Sequence, residues 1–81
     1  MPTVVMYSRT TCGLCDEARE VILAVRAEHH FEYEEVFVDG QADLEGRYGQ
    51  RVPVVLVNGE EEFDLHVDPQ RLRGVLAAAG A

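Results

Sequence analysis

Two cysteines, Cys12 and Cys15, are the only thiols in 81 residues, and Gly13-Leu14 is all that separates them. Such a pair suits dithiol–disulfide exchange if it opens a helix. Free backbone N–H groups and the positive end of the helix dipole then face the first sulfur. Both favour thiolate, and the thiolate is the nucleophile. The second sulfur lies one turn further in, from where it can reach back to resolve a mixed disulfide. The spacing therefore predicts that Cys12 attacks and Cys15 resolves. Arg9 adds a positive charge before Cys12, while Asp16 and Glu17 act the other way. As a structural staple the pair is poorly placed, because closing so short a loop adds little stability.

Other chemistry is open to the pair. A zinc site wants four ligands, and a second C-x-x-C is missing. His29 and His30 fall at the far end of the expected helix, and His66 is the nearer candidate. We therefore assign no metal ligand. An iron–sulfur cluster shared by two chains, each giving Cys12, is a second reading. A partner-binding module with a dithiol that does not turn over is a third, and two inert core cysteines a fourth.

The flanking sequence supplies the elements that must hold the pair. Thr3 to Tyr7 is a continuous apolar run, predicted to be a strand covered on both faces. From Cys12 to about Glu28, the residues Leu14, Ala18, Val21, Ile22 and Val25 form one stripe of an amphipathic helix. Glu32 to Asp39 reads as a second strand, with Glu34-Glu35 marking an edge position or a bulge. Ala42 to Tyr48 reads as a short helix stopped at Gly49. Val52 to Val57 is a third strand, and Asn58-Gly59 is a hairpin signal leading to a return strand over Glu60 to Phe63. Asp68-Pro69 starts a last helix whose buried stripe is Leu72, Val75, Leu76 and Ala79.

The order β-α-β-α-β-β-α predicts an α/β domain over residues 1–81, a mixed four-stranded sheet flanked by helices. The dithiol then sits at the C-terminal end of a strand, where such folds bind ligands. The net charge of −8 argues against nucleic acid, since phosphate binding needs a basic face. No apolar run approaches the ~20 residues of a membrane span. Met1-Pro2-Thr3 lacks the basic start of a secretory leader. The expectation is a cytoplasmic monomer.

Pro53 interrupts the third strand, and proline belongs at strand starts, edges or bulges. One reading is a strand start at Val52-Pro53. The other is a cis Val52–Pro53 bond beside the dithiol, leaving the Val52 N–H and C=O for an extended substrate segment to pair with.

The stretch Val4-Val5-Met6-Tyr7-Ser8-Arg9-Thr10-Thr11-Cys12-Gly13-Leu14-Cys15 resembles the opening of a glutaredoxin. Gln50-Arg51-Val52-Pro53-Val54-Val55-Leu56-Val57-Asn58-Gly59 is similar to that family's later cis-proline strand. The resemblance spans nearly the whole chain, and the compact DUF836-type subgroup fits it best. It implies a thioredoxin-like, glutaredoxin-type fold and a thiol–disulfide oxidoreductase acting on disulfide-containing proteins or small thiols. It implies Cys12 as nucleophile, Cys15 as resolving thiol, Gly13 and Leu14 as substrate contacts, and Val52-Pro53 as the substrate-pairing element. Arg9 matches a basic residue that faces the glycine carboxylate of glutathione. The resemblance implies no bound cofactor, and leaves glutathione, another low-molecular-weight thiol and a thioredoxin-reductase-like protein open as the reductant. Three departures stand out. Gly-Leu replaces the usual Pro-Tyr within the motif, the chain has no Trp, and Asp64-Leu65 stands where glutaredoxins carry Gly-Gly. Asp64 adds a charge that repels a carboxylate, which disfavours glutathione.

Overall fold

The computed structural model describes residues 1–80; Ala81, the last residue of the domain read over 1–81, lies outside the described residues. Seven elements follow the predicted order: β1 (Thr3–Ser8), α1 (Gly13–Arg26), β2 (Glu32–Phe37), α2 (Ala42–Tyr48), β3 (Val54–Val57), β4 (Glu60–Asp64) and α3 (Pro69–Ala78). They form one four-stranded sheet in the order β2-β1-β3-β4. β1 pairs parallel with β2, because α1 carries the chain back across the sheet before β2 begins. β3 runs antiparallel to both β1 and β4.

Asn58 and Gly59 turn the β3–β4 hairpin with φ of 51° and 85°, the left-handed pair a two-residue hairpin needs. Asn58 also ties the hairpin to β1. Its Oδ1 accepts from the Thr3 N–H at 2.9 Å, and its own N–H donates to the Thr3 carbonyl at 2.9 Å.

Some boundaries and environments differ from the sequence reading, β2 ending at Phe37 and not Asp39 among them, and one open alternative is resolved. β1 is not covered evenly on both faces. Val4, Met6 and Ser8 are buried, while Val5 and Tyr7 are half-covered, because the short α2 packs on that side. α1 ends at Arg26 rather than near Glu28, where the N–H groups of Glu28 and His29 both turn back onto the Val25 carbonyl. The buried Phe31 then anchors the return into β2. β3 begins at Val54, since Pro53 has no N–H to give the ladder. Glu34-Glu35 marks an edge strand whose register with β1 is unbroken; the irregularity falls between β3 and β4, where Glu62 is left out of the pairing.

The main core lies between the sheet and the α1/α3 layer. Val4, Met6, Val55 and Phe63 from the sheet meet Ile22 and Val25 of α1 and Leu72 and Leu76 of α3. Burying each Ile or Leu side chain contributes about 1.5–3 kcal/mol. Asp68 caps α3 by accepting from the Gln70 N–H at 3.1 Å, with Pro69 at the first helical position. This core fixes α1 on β1, and so fixes the junction at residues 9–12.

Candidate active site at the start of α1

Cys12 is the N-cap of α1, in extended conformation with φ −152° and ψ 110°. Its carbonyl accepts from the Asp16 N–H at 3.1 Å, and its Sγ accepts from the Cys15 N–H at 3.1 Å. The sulfur thus occupies the place where a Ser or Asp oxygen would cap a helix. The positive end of the helix dipole points at the same place. Both cysteines are free thiols, Cys12 half-buried and Cys15 fully buried.

Burial pushes the Cys15 thiol up to about 12, with its hydrogen bond to Cys12 and the charge of Glu35 acting in the same direction. Cys15 is therefore a protonated thiol at neutral pH.

Glu35 belongs to a polar knot that sequence reasoning missed. Ser8 Oγ donates to its carboxylate at 2.7 Å, and Arg19 grips both of its oxygens, Nε at 2.7 Å and Nη2 on the other. The Arg19 guanidinium holds the Glu35 carboxyl below its ordinary range, against burial and with help from Ser8. Arg19 in turn is held charged by Glu35 and by Asp16, 2.8 Å away. Nothing local in sequence signals this knot, because it depends on how β2 is aligned beside β1.

The floor of the site is a second apolar cluster. Cys15, Val38 and Val52 are its buried members, with Tyr7, Cys12, Leu44 and Tyr48 packed against them. The Tyr7 and Tyr48 rings stack with centroids 4.3 Å apart and planes 14° from parallel. Val52 thus shares a cluster with both cysteines, as the sequence reading required. The Val52–Pro53 bond is cis. The ladder to β1 starts only at Val54, and no loop or turn hydrogen bond engages the Val52 backbone among the described residues.

Two further contacts secure the loop before Cys12. Arg9 Nε donates to the Gly49 carbonyl at 3.0 Å, at the C-terminus of α2. Gly suits this position, since a Cβ at residue 49 would lie 2.6 Å from the Glu45 carbonyl oxygen as well as crowding Arg9 Nη2. Asp39, just past β2, accepts from the Thr10 N–H and from Thr10 Oγ1, each at 3.1 Å. Gly13 is exposed and Leu14 half-buried beside the sulfurs. Asp64 ends β4 and pairs with Arg51 at 3.2 Å, and Arg51 also pairs with Glu61.

Comparison with known proteins places this arrangement. The glutaredoxin-like domain (DUF836) matches residues 3–77. The chain belongs to this glutaredoxin-like family. The uncharacterized protein Rv0508 of Mycobacterium tuberculosis is 32% identical over 81 residues, which is 94% of this chain and 84% of the relative. The crystal structure of the structural-genomics target XcR50 from X. campestris superposes with a TM-score of 0.78 at 41% identity, covering 93% of this chain and 96% of that one. Thioredoxin O2 from Arabidopsis thaliana, in its oxidized state, shares the fold alone, with a TM-score of 0.68 at 22% identity over 96% of this chain and 74% of its own. This glutaredoxin-like chain therefore has a thioredoxin-type fold with its two cysteines close together at the first helix. Among the described residues, no helix is long and apolar enough to cross a membrane.

Proposed function

We propose that the protein is a thiol–disulfide oxidoreductase that reduces disulfides or mixed disulfides by dithiol exchange. The observation that carries this reading is the Cys15 N–H on Cys12 Sγ at the N-cap of α1, 3.1 Å apart. Cys12 attacks as thiolate and forms a mixed disulfide, and the first substrate sulfur departs as thiolate. Cys15 then attacks Cys12 Sγ and releases the second substrate sulfur, which takes the proton that Cys15 gives up. Two electrons pass to the substrate, and the protein is left with a Cys12–Cys15 disulfide. A low-molecular-weight thiol or a protein dithiol returns it to the reduced form. The unpaired Val52 backbone offers an extended substrate segment a strand to pair with, which supports a protein substrate.

The test is stoichiometric reduction of a model disulfide by the pre-reduced protein. Cys12→Ser should abolish exchange, and Cys15→Ser should accumulate a mixed disulfide visible as a mass increase. An unchanged rate in Cys12→Ser would sink the proposal.

A further inference from the structure

A small groove opens beside the dithiol, between the first turns of α1 and the loop joining β4 to α3. Leu14, Glu17, Ala18, Leu65, His66 and Val67 are among its walls, and its volume is about 80 Å³. A cavity of ~150 Å³ accepts a benzene ring. The groove therefore has room for about one aliphatic side chain.

Leu65 is the unusual wall. It is 41% exposed and has φ of 66°. That left-handed conformation suits Gly and strains a residue with a Cβ. The backbone is held there from below, where the Leu65 N–H donates to the Pro53 carbonyl at 2.9 Å. Neither hydrophobic burial nor backbone comfort explains a leucine at this point. What its side chain does is close the groove opposite Leu14, the residue beside the sulfurs.

The charge at the groove is equally specific. Asp16 shares Arg19 with Glu35, and Asp64 shares Arg51 with Glu61, so each has a cation within 3.2 Å. Glu17 lines the groove, is exposed, and enters no ion pair among the described residues. It sets a carboxylate without a cation partner next to an apolar slot, in a chain of net charge −8.

We infer that the groove selects the protein substrate: a segment whose disulfide-forming cysteine is flanked by an aliphatic side chain seated between Leu14 and Leu65, and by a lysine or arginine facing Glu17. This rests on the dithiol reading above and names the substrate class for it. An acidic tripeptide thiol satisfies neither the slot nor the charge.

The experiment compares two short peptides, each with one cysteine disulfide-linked to 2-mercaptoethanol. One carries Leu and Lys beside the cysteine, the other Gly and Glu. The pre-reduced protein is mixed with each in single turnover, and bis(2-hydroxyethyl) disulfide reports exchange without any flanking residue. Even one methylene in a pocket discriminates by about 10–200-fold, so the Leu/Lys peptide should react at least ~10-fold faster. Leu65→Gly should cut that ratio severalfold, leaving only the share that the charge of Glu17 supplies. Gly adopts the backbone at residue 65 without strain, so the variant removes the side chain and keeps the loop. Glu17→Gln should lower the ratio by the share due to charge and leave the share due to Leu, and the two changes combined should bring it to within about twofold. Reduction of both peptides at equal rates, or a ratio unmoved by Leu65→Gly, overturns the inference and leaves the dithiol reading standing. Failure to reduce even bis(2-hydroxyethyl) disulfide overturns both.

Discussion

The main chain of Cys15 supports the sulfur of Cys12: the Cys15 N–H lies 3.1 Å from Cys12 Sγ, while the Cys15 thiol itself is fully buried and pushed up to about 12. One residue thus serves the nucleophile with its backbone and withholds its own sulfur. Near neutral pH, iodoacetamide should therefore add one group, at Cys12, with Cys15 modified at under about a tenth of that rate. Peptide mapping by mass spectrometry checks this. Equal labelling of both cysteines would contradict the assigned roles.

The same shift links the reduced protein's stability to alkaline pH. The Cys15 thiol rises from 9.0 to about 12 on folding, so between those values the folded state holds the proton more tightly. Stability from this group is complete below about pH 9.0 and is lost as pH rises toward 12. Cys15→Ala should flatten the fall in denaturation midpoint over that window. An alkaline limb identical to the parent's would refute it.

Glu35 gives a mirror-image dependence in acid. Arg19 lowers its carboxyl below the ordinary 4.5, so the unfolded chain takes up the proton first as pH falls. The contribution is complete above about pH 4.5 and declines below it, through the lowered folded value. Urea melts across this range should show the parent losing stability more steeply than Glu35→Gln. Removing the Glu35 charge should also let the Cys15 thiol ionise more readily, which alkaline thiolate absorbance would detect.

Gly49→Ala tests the Arg9 contact. The added methyl would sit 2.5 Å from Arg9 Nη2 and 2.6 Å from the Glu45 carbonyl, and the latter is backbone. Overpacking of this kind costs about 1–3 kcal/mol. We expect that loss in chemical denaturation, together with slower disulfide exchange as the loop before Cys12 shifts. Unchanged stability would show that the C-terminus of α2 yields freely.

Tyr48→Ala should cost about 2 kcal/mol, since it removes a stacked ring and opens the cluster beneath Val52 and Cys15. Tyr48→Phe keeps the stack and should cost far less. Equal losses in the two variants would mean the hydroxyl, and not the ring, matters.

What the sequence disclosed, and what it hid, divides along the range of the interactions. Cys12 at a helix start, the Asn58-Gly59 hairpin and the Asp68-Pro69 cap are local events, each decided within a few residues. The element order and the mixed sheet followed from them. The placing of Val52 against the dithiol came through family resemblance. The Ser8–Glu35–Arg19 knot joins residues on three elements and has no local signature. Asp64-Leu65 stood out as the replacement for Gly-Gly, but the left-handed backbone of Leu65 did not, because it is held by a hydrogen bond to Pro53 and residue type argues against it. The evenly covered β1 failed because an apolar run alone does not say how much helix lies over each face.

The sheet ends on β2 at one side and β4 at the other, and both edges bristle with carboxylates: Glu32 and Glu34 on the first, Glu60 and Glu61 on the second, all exposed. An open strand is a template on which another chain can crystallise into fibre. Here any approaching copy brings the same sign to the seam, so the molecule guards its borders by repulsion. That guard weakens in acid or concentrated salt, the two conditions under which stored solutions of this protein should turn cloudy first.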